Sequence, residues 1–184
     1  ASFAVFHIEQ DNVAQLVSGY DTDAIYKAAK GATTKGFEFE VAGEVLDGWN
    51  LSAGYSYAHT RDAKGDYVYG SVLQTTAPEQ LVRVFSTYRL PGAWDKLTVG
   101  GGVNWQSEFF GNVFQPNPSD TVNFGQYTKI TQDSYYLADL MARYRFNEHL
   151  SPPLNVKNLI DQKYYTGMGN FGPGFYGDPR RLHV

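Results

Sequence analysis

The 184-residue chain contains no cysteine, which excludes disulfides, thiolate metal sites and cysteine nucleophiles from these residues. That absence says little about compartment, because a β-barrel needs no such staples. No apolar run approaches the ~20 residues that a membrane helix requires, and the mean hydropathy is −0.39. Hydropathy alone therefore points to a soluble protein, but this inference fails for strands that cross a bilayer with one apolar face. The net charge of −4 provides no basic footprint for nucleic acid. Catalytic motifs are missing too: there is no nucleophile elbow, phosphate loop or His-Glu metal motif. His7, His59, His149 and His183 are far apart in sequence and do not read as a metal site. The chain is not expected to be an enzyme. It begins at Ala1 with neither an initiating Met nor a signal peptide, which is neutral between a mature chain and a fragment.

What is abundant is aromatic residues, 16% of the chain, and they recur with period 2. Trp49, Leu51, Ala53, Tyr55 and Tyr57 alternate with Asn50, Ser52, Gly54, Ser56 and Ala58. A strand places these two sets on opposite faces. Phe37, Phe39, Val41 and Val45 similarly oppose Glu38, Glu40 and Glu44, and Leu97, Val99, Val103 and Trp105 oppose Thr98, Asn104 and Gln106. Tyr136, Ala138, Leu140, Ala142, Tyr144 and Phe146 oppose Asp139, Arg143 and Arg145. Three carboxylates on one side of one strand demand a wet environment, since an unpaired buried charge costs several kcal/mol. That side faces either bulk water or a hydrated lumen. The three glutamates therefore read as a polar lining and not as an acid/base set, with Arg143 and Arg145 expected to pair with such carboxylates across the wall or with a plug in the lumen. One apolar and one polar face, strand after strand, is the pattern of a barrel in lipid.

The links between strands sort by length. Short ones lie at Leu46-Asp47-Gly48, at Pro91 to Asp95 and at Asn147-Glu148-His149. Long ones fall at roughly 11–32, 62–78, 107–131 and 166–179. The spacing predicts about eight strands, over about 2–10, 33–46, 49–61, 80–90, 96–107, 132–147, 149–165 and 180–184. Tight turns on one side and long loops on the other is the asymmetry of bacterial outer-membrane barrels. Trp49, Tyr88, Trp94, Tyr144 and Phe146 fall near the short turns, with Tyr55, Tyr57, Trp105 and Tyr136 toward the long loops. They are expected to form girdles at the two membrane interfaces. The fold expected is all-β, a transmembrane antiparallel barrel. A spanning strand needs ~9–11 residues, and few follow Pro179, so residues 1–184 are expected to be the C-terminal part of a larger barrel.

Several blocks, in order, resemble TonB-dependent outer-membrane siderophore receptors. They are Thr34-Lys35-Gly36-Phe37-Glu38-Phe39-Glu40, Gly48 to Tyr57, Ala77-Pro78-Glu79-Gln80, Leu97 to Val103, and Asn155 to Tyr165 followed by Gly177-Asp178-Pro179-Arg180-Arg181. The resemblance covers nearly the whole chain and is nearest to hydroxamate or pyoverdine-type receptors. It implies eight strands of a 22-stranded barrel that encloses an N-terminal plug. It also implies ferric siderophore uptake across the outer membrane of a Gram-negative bacterium, energised by TonB, with the receptor acting as a monomer in lipid. Neither plug nor TonB-binding motif is in this sequence, nor is the usual terminal aromatic. Pro152-Pro153 within the seventh expected strand is unusual, since proline removes ladder donors.

A ferric siderophore is bulky and polar with apolar edges, and the resemblance implies a grip by loop aromatics. Tyr67, Tyr69, Trp105, Phe109, Phe110, Phe114, Phe171, Phe175 and Tyr176 are the candidates. Packing within the loops or the girdle is the bland reading for any one of them. No protein cofactor or metal ligand is expected, because the chelator's own oxygens would hold the iron. Asn158, Asp161 and Asp178-Pro179 are expected to shape the chain and not to bind ligand. Two other readings stay open: a complete eight-stranded barrel acting as a structural protein or adhesin, and a soluble carbohydrate-binding or hydrolytic β-sandwich.

Overall fold

The alternating segments pair into one antiparallel sheet in the computed structural model, which describes residues 1–18, 21–29, 31–62, 77–116, 125–168 and 174–184. Its eight strands are β1 (Ser2–Glu9), β4 (Ala32–Leu46), β5 (Trp49–Asp62), β6 (Gln80–Arg89), β7 (Leu97–Gln106), β10 (Tyr135–Tyr144), β11 (Pro153–Lys157) and β14 (Arg181–His183). They are ordered β1-β4-β5-β6-β7-β10-β11-β14. Each strand pairs with the next sheet strand along the chain. β1 and β14 are edges that do not pair with each other among the described residues, so these strands do not close an eight-stranded barrel.

The register lines up the outer-face residues in rows. Phe3, Phe39, Tyr55, Val82, Trp105 and Tyr136 form one row across the sheet. Below it run Val41, Ala53, Val84, Val103 and Ala138. Nearer the short turns come Trp49, Tyr88, Val99 and Ala142, with Leu97 paired to Tyr144 one step further. Aromatics thus flank an aliphatic middle at both ends, the arrangement of interfacial girdles around a hydrocarbon slab. The Trp49 indole N–H donates to Ser86 Oγ at 2.8 Å, and that hydroxyl donates to the Asn50 carbonyl at 3.2 Å. These three polar groups of the face therefore satisfy one another, as lipid requires.

The opposite face is polar and concave. Glu40, Ser52, Gly54, Arg83, Asn104 and Asp139, from five consecutive sheet strands, line a groove of about 260 Å³. Gly102 lies in its floor, where a Cβ would come within 2.7 Å of the Val84 carbonyl oxygen and 2.8 Å of the Phe85 ring. Only glycine permits this approach, and the Phe85 ring fills the space a side chain would take. Among the described residues neither Arg143 nor Arg145 forms an ion pair within the chain. The expected pairing with wall carboxylates is therefore not found there.

The sheet has almost no dry core. The buried apolar side chains among the described residues are Phe109 and Tyr135, at 6% and 9% exposure. The chain exposes 12909 Å², whereas a globular protein of 20.6 kDa would expose roughly 8,900 Å². A soluble sandwich would hide its aliphatic rows against a second sheet; here they stand uncovered.

The tight turns have local causes. Asp47-Gly48 closes β4 on β5 with Gly48 at φ +76°, a conformation glycine adopts without strain. Between β6 and β7, Gly92 (φ +64°) opens a short 3₁₀ turn, Gly92–Trp94. Asn147 Oδ1 accepts from the backbone N–H groups of His149 and Leu150 at 2.9 and 2.8 Å, capping the third turn.

Several boundaries differ from the sequence expectation; the sixth strand is Tyr135–Tyr144 instead of 132–147. The seventh strand covers Pro153–Lys157 instead of 149–165. Pro153 is its first residue, paired with Arg143, and Pro152 precedes it. Both prolines therefore lie at or before the strand start, where a missing donor is tolerated. The strand stops at Asn158, whose φ of +50° breaks the extended run. The long links are also not plain loops. Three carry their own hairpins: β2 (Val13–Ser18) with β3 (Ile25–Ala29), β8 (Phe109–Pro116) with β9 (Gly125–Gln132), and β12 (Tyr165–Met168) with β13 (Gly174–Tyr176).

Candidate functional site

The long-loop end is organised around a buried asparagine. Asn158 is 4% exposed, and its side chain bonds fully. Nδ2 donates to the carbonyls of Gln162 at 2.9 Å and Asp178 at 3.0 Å, while Oδ1 accepts from Gln162 N–H at 2.8 Å. Its backbone N–H donates to Asp139 Oδ1 at 2.9 Å, tying the turn to wall strand β10. Asp161, at φ +55°, accepts from the Arg180 N–H at 2.9 Å. The Arg181 guanidinium pairs with Asp178 at 2.9 Å. Asn158, Asp161 and Asp178 thus shape the chain, as their expected role required; Asn and Asp tolerate positive φ better than most residues.

Above this turn the aromatics assemble in two layers. Tyr164 stacks on Tyr135 with centroids 4.6 Å apart. A Cβ at Gly177 would strike the Tyr164 ring, so that glycine makes room for it, and Gly177 N–H donates to the Tyr164 carbonyl at 2.9 Å. Burial pushes the Tyr164 phenol above its ordinary range, and the Asp178 carboxylate raises it further. The second layer pairs Tyr165 with Tyr176 across β12 and β13. The Tyr165 hydroxyl donates to that of Tyr176, and holding this proton raises the Tyr165 pKa.

The β8–β9 hairpin joins this assembly through Gln132, whose Oε1 accepts from the Tyr165 N–H at 2.9 Å. Lys129 Nζ sits 4.1 Å from the Phe110 ring centroid, a cation–π contact. The loop end therefore offers exposed aromatic faces, a cation beside the Phe110 ring and a hydrogen-bonded pair of tyrosine hydroxyls, a surface suited to a bulky amphipathic ligand. Among the described residues there is no cluster of metal-ligating side chains.

The expected site residues fall in different places. Phe175 and Tyr176 are 61% and 72% exposed on the β12–β13 hairpin. Phe110 lies on β8 beside Lys129, and Phe109 is buried at the base of the same hairpin, opposite Gln132. Phe114 pairs with Tyr127 through the backbone of β8–β9. Trp105 lies in the wall row with Val82 and Tyr136, on the apolar face. Tyr67, Tyr69 and Phe171 lie outside the described residues. Sequence reasoning missed Gln132, Tyr135, Tyr164 and Tyr165. The glycines at 174 and 177, which make room for the Tyr165 and Tyr164 rings, were the available signal.

Known proteins resemble this chain in sequence and in fold. The chain is 43% identical over its whole length to the ferric-pyoverdine 358 receptor of Pseudomonas putida, covering 21% of that protein. It is 39% identical over 98% of its length to the ferripyoverdine receptor of Pseudomonas aeruginosa, covering 22% of it. The crystal structure of the outer-membrane ferripyoverdine receptor of P. aeruginosa bound to ferripyoverdine superposes with a TM-score of 0.81. The identity there is 36%, over 98% of this chain and 23% of that one. The chain thus spans about a fifth of the length of the relatives it matches. Residues 1–159 match the family described as TonB dependent receptor-like, beta-barrel, and the chain belongs to that family.

Proposed function

We propose that this chain forms part of the wall and outer mouth of a receptor that takes up a ferric siderophore of the pyoverdine class across the outer membrane of a Gram-negative bacterium. The observation that carries this reading is the 43% identity to a ferric-pyoverdine receptor along the entire chain. The apolar rows face lipid and the Glu40–Arg83–Asp139 face lines the lumen. Residues 1–184 belong to the C-terminal part of the barrel; further strands cover the edges of β1 and β14, since lipid does not tolerate open edges. A plug and a TonB-binding motif belong to the rest of the receptor, which acts as a monomer.

The siderophore is held by loop aromatics: Phe110, Phe175 and Tyr176, with Phe114 and Phe171 from the same loops, Tyr67 and Tyr69 from the 62–78 link, and Phe109 supporting the hairpin. The chelator's oxygens keep the iron, so the protein supplies stacking faces and hydrogen bonds and no cofactor. The test is uptake of radioiron-labelled ferripyoverdines by a receptor-deficient pseudomonad expressing the full-length receptor. Uptake that disappears when TonB is inactivated is expected. Uptake of none of a panel of ferripyoverdines would overturn the assignment.

A further inference from the structure

We infer that Asn158 is a positioning residue whose buried carboxamide clamps both stems of the last outer loop and so holds the β12–β13 aromatics in their binding arrangement. This rests on the reading of that hairpin as part of the siderophore site. Gln162 and Asp178 stand on either side of the whole hairpin, and one Asn158 nitrogen donates to both their carbonyls. Gln162 is held a second time through its N–H on Asn158 Oδ1. The clamp is anchored to the wall by the Asn158 N–H on Asp139 and by the Leu159 N–H on the Ala138 carbonyl at 2.7 Å. Just above it, the bond from Gly177 to the Tyr164 carbonyl joins the stems again.

The chemistry is specific to a carboxamide. An aspartate at this position would keep the acceptor for Gln162 N–H but lose both donors, setting a carboxylate against two carbonyl oxygens and near Asp139. The wall does not depend on the clamp, because β10 is held along its whole length by β7. Loss of the clamp should therefore fall on the loop.

The test uses the full-length receptor in outer-membrane vesicles, as wild type and as Asn158→Asp and Asn158→Gly; glycine accepts the positive φ. Amide exchange at Gln162 and Gly177 and affinity for radioiron-labelled ferripyoverdine are both measured. In the variants these amides should exchange at close to the rate of an unprotected loop while β7 and β10 amides keep their protection. Affinity should fall roughly tenfold, in proportion to the fraction of receptors with the hairpin in place. Unchanged exchange, or faster exchange with unchanged affinity, would overturn the positioning role. If wild type binds no ferripyoverdine, the receptor reading fails, and the exchange measurements still decide whether the clamp exists. If neither variant assembles, wild-type exchange decides: wall-like protection at Gln162 and Gly177 supports the clamp, and loop-like exchange overturns it.

Discussion

Tyr165 and Tyr176 stack across the last outer hairpin with ring centroids 4.7 Å apart and hydroxyls 3.1 Å apart. The pair keeps two aromatic faces and a hydrogen-bonded pair of hydroxyls at the loop end, where Tyr176 is 72% exposed. Replacing Tyr176 with Ala should weaken ferripyoverdine binding by the full-length receptor roughly three- to tenfold. Tyr176→Phe keeps the stack and should lose less. A fluorescence or radioiron titration distinguishes the two, and wild-type affinity in Tyr176→Ala would remove the hairpin from the site.

The two faces of the wall should respond oppositely to charge. Leu51 lies on the apolar face between Gly43 and Ser86, and Leu51→Arg places a cation in lipid at a cost of about 2–4 kcal/mol near the midplane. Glu40→Leu removes a carboxylate from the wet groove and should disturb assembly less. Folded yield in an outer-membrane assembly assay checks this, and equal yields would refute the assignment of faces.

At Gly102 the wall leaves no room for a side chain. Gly102→Val drives methyls into the Val84 carbonyl and the Phe85 ring, and overpacking of this kind costs about 1–3 kcal/mol. The variant should show a lower unfolding midpoint in urea, while Gly43→Ala, which meets nothing within 4 Å, should not.

Much of the wall was legible because period 2 runs along β5 and through much of β7 and β10, and each strand's apolar set lands on one face of the sheet. Asp47-Gly48 and Asn147 announced their turns through ordinary turn chemistry. The hairpins within the loops were hidden. β8 is interrupted by Gly111, Asn112 and Pro116, and β13 has three residues, too few to show alternation. The end of β11 was hidden as well. Asn158 there adopts a left-handed conformation inside an apparently continuous run, and the partners that stabilise it, Asp139 and Asp178, are distant in sequence. Of the mouth, exposed Phe175 and Tyr176 were legible as loop aromatics. Tyr164 and Tyr165 were read as the end of a strand, because the break at Asn158 was not visible.

The most direct test of a lipid-facing wall is cysteine substitution at each position from Asn50 to Tyr57 in the full-length receptor, followed by labelling with water-soluble and membrane-confined maleimides. Cysteines at Leu51, Ala53, Tyr55 and Tyr57 should react from the lipid, and those at Asn50, Ser52, Gly54 and Ser56 from water. Labelling that does not alternate, or that alternates with the opposite phase, would contradict the account.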